Sequence, residues 1–326
     1  MSEIVLHIGT HKTGTTTIQD TLFHNRALLR ARGVVYPRIG QVAPHHNLVT
    51  RWIDLPPQFR ARKSALENWA SLARGWAGGE QTLLVSSEEF SRMLPSAVDF
   101  REIRGLVDGF GRRRVAIVLR NQLGFIQSVY VQVAKSQVFV DFDYFVSQCV
   151  RSRFATGLAL DYNLLLDHVL AGFSRDELVL IPYEASVAGE GLVGAFCRRL
   201  DLPVTAAELA PLPGGDSNVS PTPLALWLAN QAAAPRHASR ALVALAEEML
   251  VAALGPGART TLYTRAQVGR IRRSFLTANR QLQARARASQ PDFAMAPLRL
   301  HPDTLHRDDL DTEALVAALR RTSASV

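Results

Sequence analysis

The chain has 326 residues, of which 47% are hydrophobic and 20% charged, and its net charge is +8. This composition excludes a disordered or collagen-like chain and a disulfide scaffold, and a chain of this length can bury a large core. No apolar run approaches the roughly 20 residues that span a bilayer, and the N-terminus lacks the basic region of a signal peptide.

Cysteine and lysine are both rare. Cys149 and Cys197 lie far apart and in no metal-binding spacing, so we expect a reducing, cytoplasmic location without a structural disulfide. The positive charge comes almost entirely from scattered arginines, since lysine occurs only at Lys12, Lys63 and Lys135. Basic tracts interleaved with aromatic residues, which are typical of nucleic-acid binding, do not occur, so we expect no nucleic-acid partner.

In chain order, short apolar runs predict strands, and runs with apolar residues every three or four positions predict helices. Strands are predicted at 4–8, 34–36, 83–87, 114–120 and 177–182. Helices are predicted around Ile18 to Leu29, over 60–76, after Asn121 and over 192–200. Continuous apolar strands that alternate with helices are typical of a parallel sheet covered on both faces.

From Ala206 the sequence changes to a Pro/Gly-rich stretch and then to helical Ala/Leu/Arg-rich segments. We therefore predict an α/β fold with three α/β/α layers around a central parallel sheet, plus a helical C-terminal portion. The α/β core is predicted at 1–205, and the helical portion, packing on the same domain, at 206–326.

The segment between the first predicted strand and helix has the form of a phosphate loop. Two glycines, Gly9 and Gly14, are separated by four residues directly before a helix. Such a loop directs backbone N–H groups and a helix N-terminus at an anion. A nucleotide triphosphatase would place lysine after the second glycine, but Thr15 stands there and the lysine lies inside the loop as Lys12.

The strands that could supply a magnesium-binding aspartate end instead at Glu88 and Arg120. Phosphoryl transfer relies on a metal ion to offset charge on the transferred group. A sulfuryl group carries one negative charge fewer, so a lysine, backbone donors and a helix dipole can suffice for its transfer. We therefore expect no metal, and a nucleotide whose transferable group is sulfate.

The segment GTHKTGTT resembles the 5′-phosphosulfate loop of the sulfotransferases that use 3′-phosphoadenosine 5′-phosphosulfate (PAPS). RNQLGFIQSVY, which contains Arg120 and Ser128, resembles that family's 3′-phosphate motif. LVLIPYEASVAGEGLVGAFCRRLDL resembles the family's later strand end and helix, and RRSFLTANRQLQARA is similar to the C-terminal helix of its bacterial carbohydrate-type branch. The likeness reaches across most of the chain and implies a P-loop-NTPase-like fold.

The resemblance also implies roles for the matched residues. Lys12 would contact the bridging oxygen between phosphate and sulfate, Arg120 and Ser128 would hold the 3′-phosphate, and Tyr183 would pack against adenine or be a half-buried strand-end side chain. The remaining donor contacts would come from Thr13, Gly14, Thr15, Thr16 and Thr17. His11 is also expected to hydrogen-bond the phosphosulfate because it is the neighbour of Lys12. The family's later glycine-containing basic motif has no clear counterpart, and Asp216-Ser217-Asn218-Val219-Ser220 occupies roughly that region.

An acceptor hydroxyl must lose a proton as its oxygen attacks sulfur, so a general base is expected near Lys12. Glu88 and Glu89 follow a predicted strand, at the sheet edge where parallel sheets bind ligands. The carbohydrate and tyrosylprotein branches of the resembled family use a glutamate in a similar place, although either residue could instead be a charge favoured at a helix N-terminus. His46, with its neighbour His45, is a rival base or an acceptor contact.

Together these features predict a sulfotransferase that moves a sulfuryl group in line from PAPS to a hydroxyl of a small-molecule or glycan acceptor, such as a carbohydrate, lipid-linked sugar or small metabolite. A P-loop nucleotide kinase or NTPase and a non-catalytic nucleotide-binding module stay open as alternatives. Lys135, two helical turns after Ser128, either extends the basic rim toward the donor or is a solvated helix-end charge. Neither the acceptor nor the oligomeric state follows from the sequence.

Overall fold

The computed structural model describes residues 1–135, 140–212 and 221–323, and these form two compact units that interleave along the chain. The first unit contains the described residues of 1–121, 156–212 and 278–296. The second contains those of 122–155, 221–277 and 297–323. The division at residues 205 and 206 stays a prediction.

Five parallel strands form the sheet of the first unit. In chain order the strands within the described ranges are β1 (Glu3–His7), β2 (Val34–Val35), β3 (Thr82–Ser86), β4 (Arg112–Leu119), the two-residue β5 (Phe154–Ala155) and β6 (Leu158–Ala159), and β7 (Leu178–Pro182). The sheet order is β2-β3-β1-β4-β7, so β1 lies in the middle. In the register of β1, His7 pairs with Ser86 of β3 and with Ala116 of β4.

Thirteen α-helices lie within the described residues. They are α1 (Thr15–His24), α2 (Arg26–Ala31), α3 (Ala65–Trp76), α4 (Phe100–Leu106), α5 (Gln122–Lys135), α6 (Phe142–Ser152), α7 (Tyr162–Val169), α8 (Tyr183–Ala188), α9 (Leu192–Arg199), α10 (Pro223–Ala233), α11 (Arg240–Leu254), α12 (Arg265–Arg287) and α13 (Thr312–Ser323). Of these, α5, α6, α10, α11 and α13 belong to the second unit, and α12 contributes residues to both.

The sheet is covered on both faces. Val5 of β1 packs in one core cluster with Ile18 of α1 and Phe196 of α9. Ile4 and Leu6, whose side chains alternate to the opposite face, are also fully buried. The three-layer α/β/α architecture and the helical C-terminal portion are therefore confirmed.

The start of α3 corrects the helix predicted over 60–76. Ser64 caps the helix: its hydroxyl accepts a hydrogen bond from the Glu67 N–H at 3.3 Å, and the Glu67 carboxylate accepts one from the Ser64 N–H at 2.8 Å. This reciprocal capping box ends the non-helical segment before Ala65. The signal, serine followed three residues later by glutamate, is present in the sequence.

In the second unit, α10 packs against α5, α11 and α13. Its residues Leu224, Ala225 and Ala229 are fully buried, so α10 forms the core of this helical group. Across the ranges that the structure describes, we find no helix with the length and hydropathy that a membrane crossing requires.

Candidate active site

The loop between β1 and α1 is hydrogen-bonded to β4. The Ile8 N–H donates to the Ala116 carbonyl at 3.0 Å, and the Thr10 N–H donates to the Val118 carbonyl at 2.9 Å. Inside the loop, the Thr13 hydroxyl donates to the Thr10 carbonyl at 2.6 Å, which occupies the proton of a hydroxyl predicted to contact phosphate. The loop is therefore held at the carboxyl end of the central strand, where parallel sheets form ligand crevices.

Gly14 turns the loop into α1. Its φ of 72° is left-handed, and a Cβ at this position would lie 2.4 Å from Leu192 Cδ2. The first helical hydrogen bond runs from the Ile18 N–H to the Gly14 carbonyl at 3.2 Å. Within the described residues, the N–H groups of Thr15, Thr16 and Thr17 have no backbone acceptor, as is usual in a first helical turn. These amides can bind an anion together with the helix dipole.

Lys12, Arg120 and Tyr183 are close together on the β4 side of the loop. The Arg120 guanidinium donates from Nη1 to the Lys12 carbonyl at 2.9 Å and lies 4.8 Å above the centre of the Tyr183 ring. Tyr183 Cε2 lies 3.9 Å from the position that a Cβ on Gly14 would take. A guanidinium, an aromatic face and the loop therefore share one region.

Two further residues predicted near the donor lie on α5. Ser128 is half-buried on α5, and Lys135 is the exposed last residue of that helix. Both belong to the second unit, so their roles stay predictions. Asp216-Ser217-Asn218-Val219-Ser220, considered for a third 3′-phosphate contact, lies outside the described residues.

Glu88 lies on the β3 side of the loop. A Cβ on Gly9 would lie only 2.9 Å from the Glu88 Cβ, so the loop and this glutamate are in close contact. Gln19 of α1 donates from Nε2 to Glu88 Oε2 at 2.8 Å. Burial raises the pKa of Glu88, but the charges of His46 and His11 and the Gln19 hydrogen bond outweigh it, so the pKa is lowered overall. Glu88 is therefore a carboxylate at neutral pH.

Glu89 is engaged in an ion pair. Its Oε2 accepts a hydrogen bond from Arg92 Nε at 2.7 Å and lies 3.7 Å from Nε2 of the buried His11. Burial lowers the pKa of His11, and the attraction of the two neighbouring glutamates only partly offsets that effect. Glu89 therefore already balances a guanidinium, whereas Glu88 is held by a neutral amide.

The two adjacent histidines differ in their environments. His46 is buried, its Nδ1 lies 2.7 Å from the Ser87 hydroxyl oxygen, and its ring meets Phe59 edge-on. His45 accepts the Ser86 N–H at Nδ1 at 2.8 Å and donates from Nε2 to the Pro37 carbonyl at 2.7 Å. Burial lowers the pKa of His45 to about 4. Both nitrogens of His45 are thus used to fix the backbone, which makes it a poor candidate for a base.

Several residues of this region were not predicted from the sequence: His7, Gln19, Ser86, Ser87 and Arg92. Gln19 follows Ile18 on α1 and is buried, but the sequence does not indicate its contact with Glu88. Arg92 lies three residues after Glu89, a spacing typical of helical ion pairs.

Comparison with known proteins finds likeness at the level of structure. No protein-family model matches the chain, and no curated protein matches it. A sulfotransferase from Alicyclobacillus acidocaldarius is similar over 64% of this chain and 86% of that chain, with 17% sequence identity and a TM-score of 0.40. Overlap and identity at this level define neither an activity nor a substrate.

Proposed function

We propose that the protein is a sulfotransferase that transfers the sulfuryl group of PAPS to a hydroxyl of a small-molecule or glycan acceptor. The observation that carries the proposal is the arrangement around Lys12. A lysine inside a phosphate-type loop has Arg120 and Tyr183 on one side. The other side of the loop is in close contact with Glu88.

The residues of the loop suit a doubly phosphorylated adenosine donor. The first-turn amides of α1 are available to the 5′-phosphate, and the Arg120 guanidinium can form charge-assisted bonds with a further phosphate. Tyr183, beneath that guanidinium, offers a face to the adenine. By the resemblance of RNQLGFIQSVY to the 3′-phosphate motif, Ser128 would be a second ligand of that phosphate.

The chemistry divides between Lys12 and Glu88. In the transfer, the bond between sulfur and the bridging oxygen breaks while a bond from sulfur to the acceptor oxygen forms. Lys12 stabilises the negative charge that develops on the bridging oxygen. Glu88 takes the acceptor's proton, for which its carboxylate state at neutral pH is required. His46, fixed through Ser87, is the alternative base.

The test uses the purified full chain with 3′,5′-bisphosphoadenosine (PAP), the product that PAPS leaves behind. We expect PAP to bind in the presence of EDTA and ATP not to bind, as measured by calorimetry. We also expect label to move from sulfur-labelled PAPS to members of a panel of saccharides and small alcohols. Magnesium-dependent ATP turnover without PAP binding would instead indicate a kinase or NTPase. PAP binding without acceptor-dependent PAP release would indicate a non-catalytic module.

A further inference from the structure

We propose that Gln19 is a positioning residue that holds Glu88 as an oriented carboxylate. The catalytic consequence rests on the proposed function, whereas the effect on the Glu88 carboxyl does not. Gln19 lies on α1, the helix that begins at the phosphate loop.

Both protons of the Gln19 amide are used. Nε2 donates to Glu88 Oε2 at 2.8 Å and to the Ser86 hydroxyl oxygen at 3.1 Å. That hydroxyl lies 2.7 Å from His7 Nδ1. Since the Ser86 oxygen accepts a hydrogen bond from Gln19, the Ser86 hydroxyl proton can be donated to His7. Burial lowers the pKa of His7 to about 4. Because the Glu88 carboxylate can only accept hydrogen bonds, its contact with Gln19 requires the NH₂ group of the amide, and this fixes the amide orientation.

The location of Gln19 argues that this polar chain has a purpose beyond packing. Gln19 is 1% exposed, and its neighbours Ile18 and Leu22 on α1 are fully buried apolar side chains. An amide buried in such surroundings lowers stability unless its protons are bonded, whereas an apolar side chain would carry no such requirement. The geometry supplies the bonds, and one of them ends on a carboxylate.

The remaining groups around Glu88 are titratable or charged. They come from β1, the phosphate loop, the segment after β2, the 3-10 turn at 46–49 and the adjacent residue: His7, His11, Tyr36, His46 and Glu89. Gln19 differs from all of them because its amide neither titrates nor carries net charge. It restrains Oε2 of the Glu88 carboxylate over the whole working pH range.

The first test is a titration of the Glu88 carboxyl in the nucleotide-free protein, by NMR of chains labelled with ¹³C at glutamate Cδ. The Glu88 signal is assigned by its loss in Glu88→Gln. We expect Gln19→Met, which keeps the volume and removes the donor, to raise the pKa of Glu88. Gln290→Met is the matched control, because the Gln290 amide accepts from the Leu180 N–H in the same unit. That control is expected to leave the Glu88 titration unchanged.

Gln19→Glu provides a second variant, nearly isosteric with glutamine, in case Gln19→Met does not fold. A second carboxylate beside Glu88 is expected to raise the pKa of Glu88 because like charges disfavour ionisation. An unaltered Glu88 titration in the folded variants would overturn the proposal. It would also be overturned if Gln290→Met moved the titration as much as Gln19→Met does.

The second test measures PAP release from PAPS with an acceptor that the labelled-transfer panel has identified. Gln19→Met removes one hydrogen bond to a charged group. We expect this loss to lower kcat by about 10-fold. We expect the acid limb of the kcat profile to move to higher pH, while PAP affinity stays at the wild-type value. Absence of transfer by the wild-type protein would refute the proposed function and leave the carboxyl titration to decide the role of Gln19.

Discussion

Lys12 combines an unusual backbone conformation with a specific anchor. Its φ of 59° is left-handed, a region that costs a residue with a Cβ about 1–2 kcal/mol. The guanidinium of Arg120, the residue directly after β4, donates a hydrogen bond to the Lys12 carbonyl and so helps to stabilise this conformation. Arg120 therefore has a part in positioning Lys12 as well as its proposed contact with the 3′-phosphate.

This arrangement predicts different outcomes for two substitutions. Lys12→Ala removes a preorganised contact to the leaving oxygen, so we expect turnover to fall by about 100- to 1,000-fold. PAP affinity, measured by calorimetry, should change far less. Arg120→Ala should mainly weaken PAP binding, because a charge-assisted contact and the Lys12 anchor are lost together.

Lys63→Ala serves as the control for removal of a positive charge. Lys63 is exposed and bonds the Ser71 hydroxyl on α3, so its loss should leave both PAP affinity and turnover unaltered. Wild-type PAPS affinity and turnover in Arg120→Ala would exclude Arg120 from the 3′-phosphate site.

At the scale of elements, the loop and helix α1 depend on a glycine for two separate reasons. Gly14 has a left-handed φ, and a Cβ there would overlap Leu192 of α9. Gly33, before β2, has a φ of 81°, and a Cβ there would meet no described residue within 4 Å apart from its chain neighbours. A substitution at Gly33 therefore measures the free-energy cost of the backbone conformation alone, whereas one at Gly14 adds the cost of steric overlap.

We expect Gly33→Ala to lower the free energy of unfolding by about 1–2 kcal/mol, the usual cost of a left-handed residue with a Cβ. Gly14→Ala should lower it further, since the Leu192 side chain must also move. Gly14→Ala should also weaken PAP binding, because the first turn of α1 shifts when residue 14 moves. Urea denaturation of both variants, with calorimetry, measures these effects. Equal destabilisation by the two substitutions would contradict the crowding argument.

The elements themselves could be predicted because their signals are local. The apolar run at 83–87 lies within one residue of β3 at each end, and the predicted 192–200 corresponds to α9. What could not be predicted depends on contacts between distant residues. Gln19 and Glu88 meet only because β1 and β3 are neighbours, and the sequence alone gives no strand order. The engagement of both His45 nitrogens, likewise, follows from the fold and not from the His45-His46 pair.

At the scale of the whole molecule, buried neutral histidines link stability to pH. His7 and His45 are completely buried, and burial lowers the pKa of each from 6.5 to about 4. Below pH 6.5 the unfolded chain binds protons that the folded protein does not bind. The free energy of unfolding therefore falls as the pH falls from 6.5 to about 4, and this contribution levels off below that window.

The predicted change is about 3 kcal/mol for each of the two histidines, since one pKa unit corresponds to about 1.4 kcal/mol. Urea midpoints measured between pH 7 and pH 4 give the slope. His7→Gln retains a polar side chain beside Ser86 and removes one titrating group, so its slope should be shallower than that of the wild type. Identical slopes would mean that His7 titrates normally in the folded protein.

The central place of β1 has a consequence for how the protein is made. β1 pairs Glu3 with Thr82 on one side and with Arg112 on the other, so both of its neighbours are translated long after it. At about 5–20 residues per second, an apolar strand waits for several seconds before either partner leaves the ribosome. Such non-local pairing is slow, and an unpaired apolar strand attracts other chains. The strand that carries the phosphate loop is therefore an unpaired apolar segment for the first part of synthesis.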